Sequence, residues 1–420
     1  MLRLLLEKPA FARLWAAGAI SLFGDWLTLV AVSVVSAAQD GGPVALALVL
    51  AAHSMPGALA SPLAGLLVDR LPRRRLLVLA AVGQGVLTLG MALAASWHAF
   101  GALKLALLVR STLAALVPPA ETAALRGVLD DDELAPGNAL VGSTWSVCYV
   151  AGMAAGGLLA ALSPAVAIGL DAVTFFGAAL LLVGLPPLPA PETPRAPARP
   201  RRLLAELGQA LDHARSAPVV LRAVLAKSPV AIAGGAGWLV TNLIAPERAP
   251  FGDAALSLGA LQAVRGLGTL FGAVAAARRT RARGERASAE RLASSLALGA
   301  VATLVVLGPR AGAVALLAIV LGWGTGSGAN WVFAQSALQA RADPRYLGRL
   351  AAMDELAVAT AMCASALLTA LGARAGLGTT GPALAMVAIA YATGWALERS
   401  RRCVGPRSPR GREPAATPCS

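Results

Sequence analysis

The stretch GLLVDRLPRRRLL, residues 65–77, sets one carboxylate and four arginines between two long runs of small and apolar residues. Charged side chains are costly to remove from water, whereas the runs on either side favour an apolar solvent. The stretch is therefore interpreted as a short loop at a water boundary, between two segments that lie in a different solvent.

The whole chain repeats this alternation. It has 420 residues, of which 57% are hydrophobic and 14% charged, against about 25% charged in soluble domains. Apolar runs of about 20 residues recur from end to end, and that length crosses a bilayer. These features predict an all-α integral membrane protein in a lipid bilayer. The formal net charge of +14 lies in short loops without interleaved aromatic residues, so no nucleic-acid partner is expected.

Boundaries at charge clusters and at Pro or Gly breaks give twelve apolar segments. They divide six and six about a long central break, which predicts two six-helix bundles joined by a central cytoplasmic loop. The predicted spans are 11–36, 44–68, 75–95, 99–118, 138–162, 165–187, 221–244, 254–277, 290–308, 311–334, 347–372 and 380–398.

The basic residues are distributed unevenly between the two sides of the membrane. Of the 36 Lys and Arg residues, Lys104, Arg110, Lys227 and Arg265 lie well inside predicted spans, five more lie in the first three residues of a span, and only Arg248, Arg310 and Arg374 lie in odd-numbered loops. The others lie in the two tails and the even-numbered loops. Because cytoplasmic loops carry an excess of Lys and Arg, both termini and the central loop are predicted to be cytoplasmic.

The central break, 185–218, begins as a proline-rich spacer and continues with Leu and Ala at helical spacing. This pattern predicts a short amphipathic helix on the inner leaflet. The basic tail is rich in Arg, Pro and Ser, which is typical of disorder. The predicted domains are an N-terminal bundle at 1–187, a cytoplasmic linker with the amphipathic helix at 188–220, a C-terminal bundle at 221–398 and a disordered tail at 399–420.

Five ionisable residues inside the predicted spans are candidates for proton coupling or substrate handling, because a membrane-buried charge needs a partner or a function. Asp25 is interpreted as a proton or cation site, with a structural hydrogen bond as the alternative. Arg110 either compensates Asp25, binds an anionic substrate group or forms a structural ion pair, and Arg265 has a substrate or pairing role. Asp354 and Glu355 are adjacent, so at most one faces a central cavity, and one is a candidate for an inner gate.

Candidate substrate contacts lie near these charges and on the tenth span. They are Trp26, His53, Asn330 and Trp331. For His53 and for the small-residue segment that contains Asn330, packing is the alternative.

Three other charged residues in the spans are given structural roles. Asp171 is placed nearer the outer end of the sixth span, where capping or packing is expected. Lys104 and Lys227 lie near span ends, where long side chains reach the interface.

The sequence offers no pattern for metal, cofactor or catalytic chemistry. Its four cysteines show no paired spacing and its three histidines are far apart, so neither a disulfide framework nor a metal site is expected. A phosphate-cradling loop, a Walker-type lysine and a nucleophile elbow are also lacking. An enzyme and a cofactor are therefore not expected.

With twelve spans split six and six, and with this charged loop after the second span, the sequence resembles the major facilitator superfamily of secondary transporters. The family's pattern in this loop, G-x-x-x-D-R-x-G-R-[RK], is met by Gly65, Asp69, Arg70, Arg73 and Arg74, with Pro72 where Gly is usual. The resemblance implies that the carboxylate contacts a helix terminus or basic group across the two halves, and steadies the outward-facing arrangement.

Other segments resemble the drug-efflux and siderophore-export branches of this family. The first span follows their pattern through GDWL at residues 24–27, and residues 118–140 are similar to their loop between the fourth and fifth helices. The resemblance implies a role in proton coupling for Arg110. The exporter motif of the fifth helix keeps its glycines as Gly152, Gly156 and Gly157, which are expected to pack tightly.

These observations predict a monomeric, proton-coupled exporter of small amphipathic organic compounds in a bacterial cytoplasmic membrane. It would work by alternating access, with Asp25 as proton carrier and Arg110 as its electrostatic partner. Two alternatives stay open: an uptake or facilitated-diffusion carrier of a metabolite, and a non-transporting sensor or scaffold that kept the fold.

Overall fold

The computed structural model describes residues 2–38, 42–68, 71–188, 200–279, 286–343 and 345–402, and every regular element within them is a helix. A 3-10 turn, Gly308–Arg310, follows α13, and a π turn, Ala373–Leu377, follows α15. The α-helices are α1 (Leu2–Glu7), α2 (Pro9–Ala37), α3 (Gly42–Val68), α4 (Arg73–Ser96), α5 (Phe100–Ala114), α6 (Val117–Val128), α7 (Leu134–Leu162), α8 (Pro164–Val183), α9 (Pro200–Ser216), α10 (Pro218–Leu225), α11 (Ser228–Arg248), α12 (Ala254–Arg279), α13 (Arg286–Leu307), α14 (Ala313–Arg341), α15 (Leu347–Gly372) and α16 (Thr380–Arg402).

Within the described ranges, twelve segments are long and apolar enough to cross a membrane. This number confirms the prediction from the sequence. Two of the segments each combine two helices, α5 with α6 over Phe100–Val128 and α10 with α11 over Pro218–Arg248. The short helices α1 and α9 do not belong to a span.

The fourth span is longer than predicted. The sequence interpretation ended it at residue 118, because Pro118 and Pro119 suggested a helix stop. In the structure the two prolines lie in the first turn of α6. The backbone N–H groups of a first turn have no hydrogen-bond partner within the helix, so proline loses nothing there, and its fixed φ suits a helix. The span therefore continues to Val128 and includes Glu121, which the sequence had placed in a loop.

The spans form two six-helix bundles. In the first bundle α2 packs on α7 and α8, and α4 packs on α5 and α8; in the second, α14 packs on α12 and α13, and α11 packs on α15 and α16. The bundles meet where α7 contacts α12 and where α3 contacts α15. We call the end of the molecule at which α8 ends and α10 begins the linker end, and the opposite end the far end.

Four glycines allow α12 and α14 to touch backbone to backbone. A Cβ on Gly268 or Gly272 would overlap the backbone of α14, and one on Gly324 or Gly328 would overlap the backbone of α12. Close approach of this kind gives van der Waals contact that side chains would prevent. For this part of the tenth span, the contacts support the packing interpretation.

We expect Gly324→Ala to lower the thermal stability of the purified protein. The new methyl group would overlap the carbonyl of Arg265, and overpacking of this kind costs about 1–3 kcal/mol. Gly322→Ala on the same helix is the matched control, because its Cβ would lie 3.9 Å from the nearest atom, in Ala300. Equal melting temperatures for the two variants would contradict this account of the contact.

The linker helix α9 lies where the sequence predicts an amphipathic helix. Its later part packs on protein rather than on a free surface: Ala210 and Ala214 are buried where α9 meets α10 and α15, and the His213 ring stacks on Tyr346 at 4.8 Å. A position on the inner leaflet, and the domain boundaries, stay predictions. The chain is described to residue 402 within α16, and the rest of the predicted tail lies outside the described residues.

Candidate functional site

A cavity of about 980 Å³ lies between the two bundles. Its walls come from the parts of α2, α6 and α7 nearer the linker end, together with α12, α14 and α15. The aromatic residues that line it are Trp15, Trp145, Tyr149, Phe175 and Trp331. The charged residues that line it are Asp25, Glu121, Arg265 and Glu355. A large and mostly apolar cavity with few charges is typical of small-molecule binding sites.

The two bundles are packed together nearer the far end. There α7 meets α12 without intervening side chains, since a Cβ on Gly157 would lie 2.8 Å from the Cα of Gly259. Gly152 and Gly156 instead face α2, where a Cβ would lie 2.7 Å from Trp26 and 3.0 Å from Leu27 respectively. All three glycines of the predicted fifth-helix motif thus lie at close helix contacts.

In the first bundle, one guanidinium is shared by two carboxylates. Arg110 on α5 donates from Nη1 to Asp25 Oδ1 on α2 at 2.8 Å and to Asp171 Oδ2 on α8 at 3.0 Å. The Arg110 and Asp171 side chains are 3% and 0% exposed, whereas Asp25 is 27% exposed and lines the cavity. If both acids are ionised, the group carries a formal charge of −1, and one proton makes it neutral.

The position of Asp171 corrects the interpretation from the sequence, which gave it a capping or packing role. Thr28 donates to its carboxylate at 2.5 Å and Thr174 at 3.2 Å. A Cβ at Gly24 would overlap this same carboxylate, so the glycine lets α2 approach α8. Asp171 is therefore a buried member of the Arg110 site.

The second bundle contains a comparable group. Lys227, between α10 and α11, donates to Asp354 Oδ2 at 2.5 Å and lies 3.9 Å from Glu355 Oε1. It also donates to Gln335 at 3.1 Å and lies 4.1 Å from the centre of the Trp331 ring. Each bundle thus holds one buried cation with two carboxylates, of which one lines the cavity.

This geometry corrects the interpretation of Lys227, whose side chain was expected to reach the interface. It is only 2% exposed. Of the adjacent acids, Glu355 lines the cavity and Asp354 is buried with its Oδ1 unpartnered among the described residues. Burying a lysine beside a carboxylate costs less free energy than burying a lone charge. The sequence indicated only that both residues lie in predicted spans.

Arg265 on α12 faces the cavity among aromatic rings. It donates to the Tyr149 hydroxyl on α7, and its guanidinium lies 4.5 Å from the centre of the Trp323 ring. The Tyr149 ring in turn stacks on Trp145 at 5.4 Å with an interplanar angle of 16°. Arg265 forms no ion pair with any described carboxylate.

The structure separates the four candidate substrate contacts. Trp331 lines the cavity, whereas Trp26, His53 and Asn330 do not. Trp26 packs edge-on against Tyr149 at 4.6 Å and lies 6.2 Å from His53. Asn330 donates to Ser294 on α13 at 3.0 Å and is buried there. Trp26 therefore packs behind the cavity wall, and for Asn330 the contact with α13 supports packing, which the sequence analysis gave as the alternative.

Sequence reasoning missed Glu121, which lines the cavity from α6. Its carboxylate makes no ion pair or hydrogen bond with a described residue. The carboxylate lies against α2 at Gly18, where an added Cβ would be 3.0 Å from Glu121 Oε1. The available signal was helical continuation through the two prolines of α6.

At the linker end, Lys8 ties the start of α2 to the turn before α7. Its Nζ lies 2.7 Å from Asp130 and 2.9 Å from Glu133. The hydrogen bond from Lys8 lowers the pKa of the Asp130 carboxyl below its usual range, and the two acids raise the pKa of Lys8. Because the pKa of Asp130 is lowered, this contact stabilises the fold at neutral pH and is lost as the pH falls towards the acid range.

The part of the chain that the structure describes holds no cluster suited to a metal. It contains no group of three or more His, Cys, Asp or Glu residues that could hold a metal ion. Cys148 and Cys363 are buried free thiols, and the other two cysteines lie outside the described residues.

A family model described as Major Facilitator Superfamily matches residues 14–362. The chain belongs to the major facilitator superfamily. It accordingly belongs to a family of multi-pass membrane transporters rather than of enzymes. It is also 25% identical over 229 residues to an uncharacterised transporter of this superfamily, YfiS of Bacillus subtilis. That match covers 52% of this chain and 54% of YfiS, so it spans about half the length of either protein.

Solved structures of major facilitator transporters share the fold. The nucleoside transporter NupG is 14% identical with a TM-score of 0.73, and the match covers 93% of this chain and 99% of that chain. The human organic anion transporter MFSD10 is 18% identical with a TM-score of 0.66 and the same coverage. A D-xylose–proton symporter is 13% identical with a TM-score of 0.67, covering 93% and 98%. At these identities the likeness concerns the fold alone.

The superfamily loop motif lies only partly within the described residues. Gly65 belongs to the last turn of α3, and Arg73 and Arg74 begin α4. The Arg73 amide donates to the carbonyl of Leu188 at 3.1 Å, which fixes the start of α4 to the chain after α8. Asp69 and Arg70 lie outside the described residues.

Proposed function

We propose that the chain is a proton-coupled exporter, an antiporter that moves small amphipathic organic compounds out across a bacterial cytoplasmic membrane. The observation that carries this proposal is the Arg110 site, in which two carboxylates share one guanidinium and one of them lines the cavity. An unbalanced charge shielded from water is costly. One proton on Asp25 removes the imbalance, so protonation of Asp25 is linked to closing the cavity.

The cavity supports a mechanism of alternating access. It occupies the linker-end part of the molecule, while the glycine contact between α7 and α12 joins the bundles nearer the far end. The excess of Lys and Arg in the even-numbered loops assigns the linker end, and both termini, to the cytoplasm. The structure then corresponds to a cytoplasm-facing state, in which Asp25 releases its proton and substrate enters.

The gate is assigned to the motif after α3, which comprises Gly65, Asp69, Arg70, Arg73 and Arg74. Its support is the resemblance of the motif to the superfamily pattern, together with the place of α3 at the boundary between the bundles, where it packs on α15. In the proposed mechanism the Asp69 carboxylate would be favourable beside a helix N-terminus and would lose such a contact when the bundles rock apart.

Export is favoured by the resemblance of α2 to the efflux branches, and an amphipathic cargo by the aromatic lining of the cavity. The uptake carrier and the non-transporting sensor predict different fluxes. An uptake carrier would move protons and substrate in the same direction, or would move substrate without protons. A sensor would show no substrate-dependent flux.

The direction and the coupling can be measured together in inverted membrane vesicles. We expect an acidic vesicle interior to drive accumulation of amphipathic fluorescent dyes, such as ethidium and rhodamine, in vesicles that contain the protein. Adding either dye should also cause protons to leave vesicles whose interior has first been made acidic. Vesicles prepared without the protein are the control. Accumulation that is unaffected by collapsing the pH gradient would refute proton antiport.

A further inference from the structure

The charged residues of the cavity are of two kinds. Asp25 is held by Arg110, and Glu355 lies 3.9 Å from Lys227. Glu121 and Arg265 line the same cavity, yet neither forms an ion pair within the described part of the chain. One unpaired carboxylate and one unpaired guanidinium therefore face a shared space from opposite bundles.

Arg265 is suited to an acidic group. Its guanidinium stays charged at all relevant pH values and presents a planar fork that matches a carboxylate. The rings of Tyr149 and Trp323 hold it in place, and its Nε is buried with no hydrogen-bond partner among described residues. The cation is thus pre-positioned in the cavity but lacks an anion.

Glu121 lies nearer the opening than Arg265. Counting the helix rise of 1.5 Å per residue from the linker ends of α6 and α12, the two residues differ in depth by about 10 Å. The Trp145 ring stacks on the Tyr149 ring between these two levels, and Trp145 lies one helical turn nearer the linker end than Tyr149. This pair of rings offers a flat surface on which a planar molecule can stack.

We propose that the cavity binds amphoteric planar organic compounds, with an acidic group against Arg265 and a basic group towards Glu121. The inference rests on the proposed function in one respect, that this cavity is the one through which substrate passes. It adds the charge pattern of the cargo. Molecules with one charge satisfy one of the two unpaired groups, and molecules with both satisfy the two together.

Three naphthalene probes with the same ring test the charge pattern at pH 8. They are 6-(aminomethyl)-2-naphthoic acid, which carries both groups, 2-naphthoic acid and 2-naphthylmethylamine. Binding to the purified protein is measured by isothermal titration calorimetry without a pH gradient. We expect the amphoteric probe to bind the wild-type protein more tightly than either singly charged probe.

The two neutral variants should have opposite effects. Arg265→Gln is expected to weaken the amphoteric and acidic probes about tenfold or more and to leave the amine unchanged, because a hydrogen bond to a charged group is lost. Glu121→Gln should weaken the amphoteric probe and the amine, and leave the acid unchanged. Arg265→Lys keeps the charge and should recover part of the loss, which guards against a folding defect.

Equal effects of each variant on all three probes, or no binding of any probe to the wild-type protein, would overturn the inference. Because binding is measured without a gradient, the result is independent of coupling and direction. If the charge pattern is found but no proton-driven flux exists, the proposed function fails alone. If proton antiport exists but the charge pattern does not, this inference fails alone.

Discussion

Replacing Asp25 by Asn is expected to reduce proton-driven transport to the background level, while substrate exchange without a gradient continues. The reason is that Asp25 is the cavity-facing carboxylate of the Arg110 site. An amide keeps the size and the contact with Arg110 but does not take up a proton at neutral pH. The variant should therefore fold, insert and bind substrate, yet lose the link between proton and cargo.

The measurement compares two fluxes in vesicles that contain equal amounts of protein. One is dye accumulation driven by an acidic interior, and the other is exchange of labelled for unlabelled dye at equal pH. Asp132→Asn is the matched control, because Asp132 is exposed on the turn before α7. Gradient-driven accumulation that survives in Asp25→Asn would remove Asp25 from the coupling mechanism.

Replacing Lys227 by Met is expected to destabilise the protein more strongly than the glycine substitution in α14 does. It leaves Asp354 buried without its cation, and breaking a buried ion pair in this way costs about 3–5 kcal/mol. The double variant Lys227→Met with Asp354→Leu removes both charges together. It should recover most of the loss, because a hydrophobic pair of similar volume is tolerated where the ion pair was.

Thermal unfolding of the purified variants in detergent measures this effect. Lys104→Met provides the control, since Lys104 lies in α5 and has no ion pair with any described residue. A melting temperature for Lys227→Met that equals that of the wild-type protein would show that the pair does not stabilise the fold. A double variant no more stable than the single variant would show that Lys227 acts through other contacts.

The number of spans could be predicted because it depends on local sequence. Each span needs about 20 apolar residues, and any helix in lipid must satisfy its own backbone hydrogen bonds. The one large boundary error came from Pro118 and Pro119, which start a helix as readily as they end one. That error also removed Glu121 from the list of candidate site residues.

Apart from Arg110 with Asp25, which lie 2.8 Å apart as expected, the pairing of charges could not be predicted, because it depends on contacts between helices that are distant in the sequence. Arg110 and Asp171 were assigned to different roles, although one hydrogen-bonds the other at 3.0 Å. Lys227 and Asp354 are likewise 127 residues apart. The sequence identified most of these residues as unusual, since charges in spans are rare. Only the packing of the helices decides which of them meet.

The contact between Gly157 and Gly259 has a consequence for how the bundles separate. At its centre the two bundles touch through backbone alone, so separating them there breaks no ion pair and strips no polar side chain of its partner. Dispersion between two smooth surfaces fades over a small separation. Opening at this contact is therefore opposed by packing alone, whereas movement at the linker end also has to rearrange charged groups.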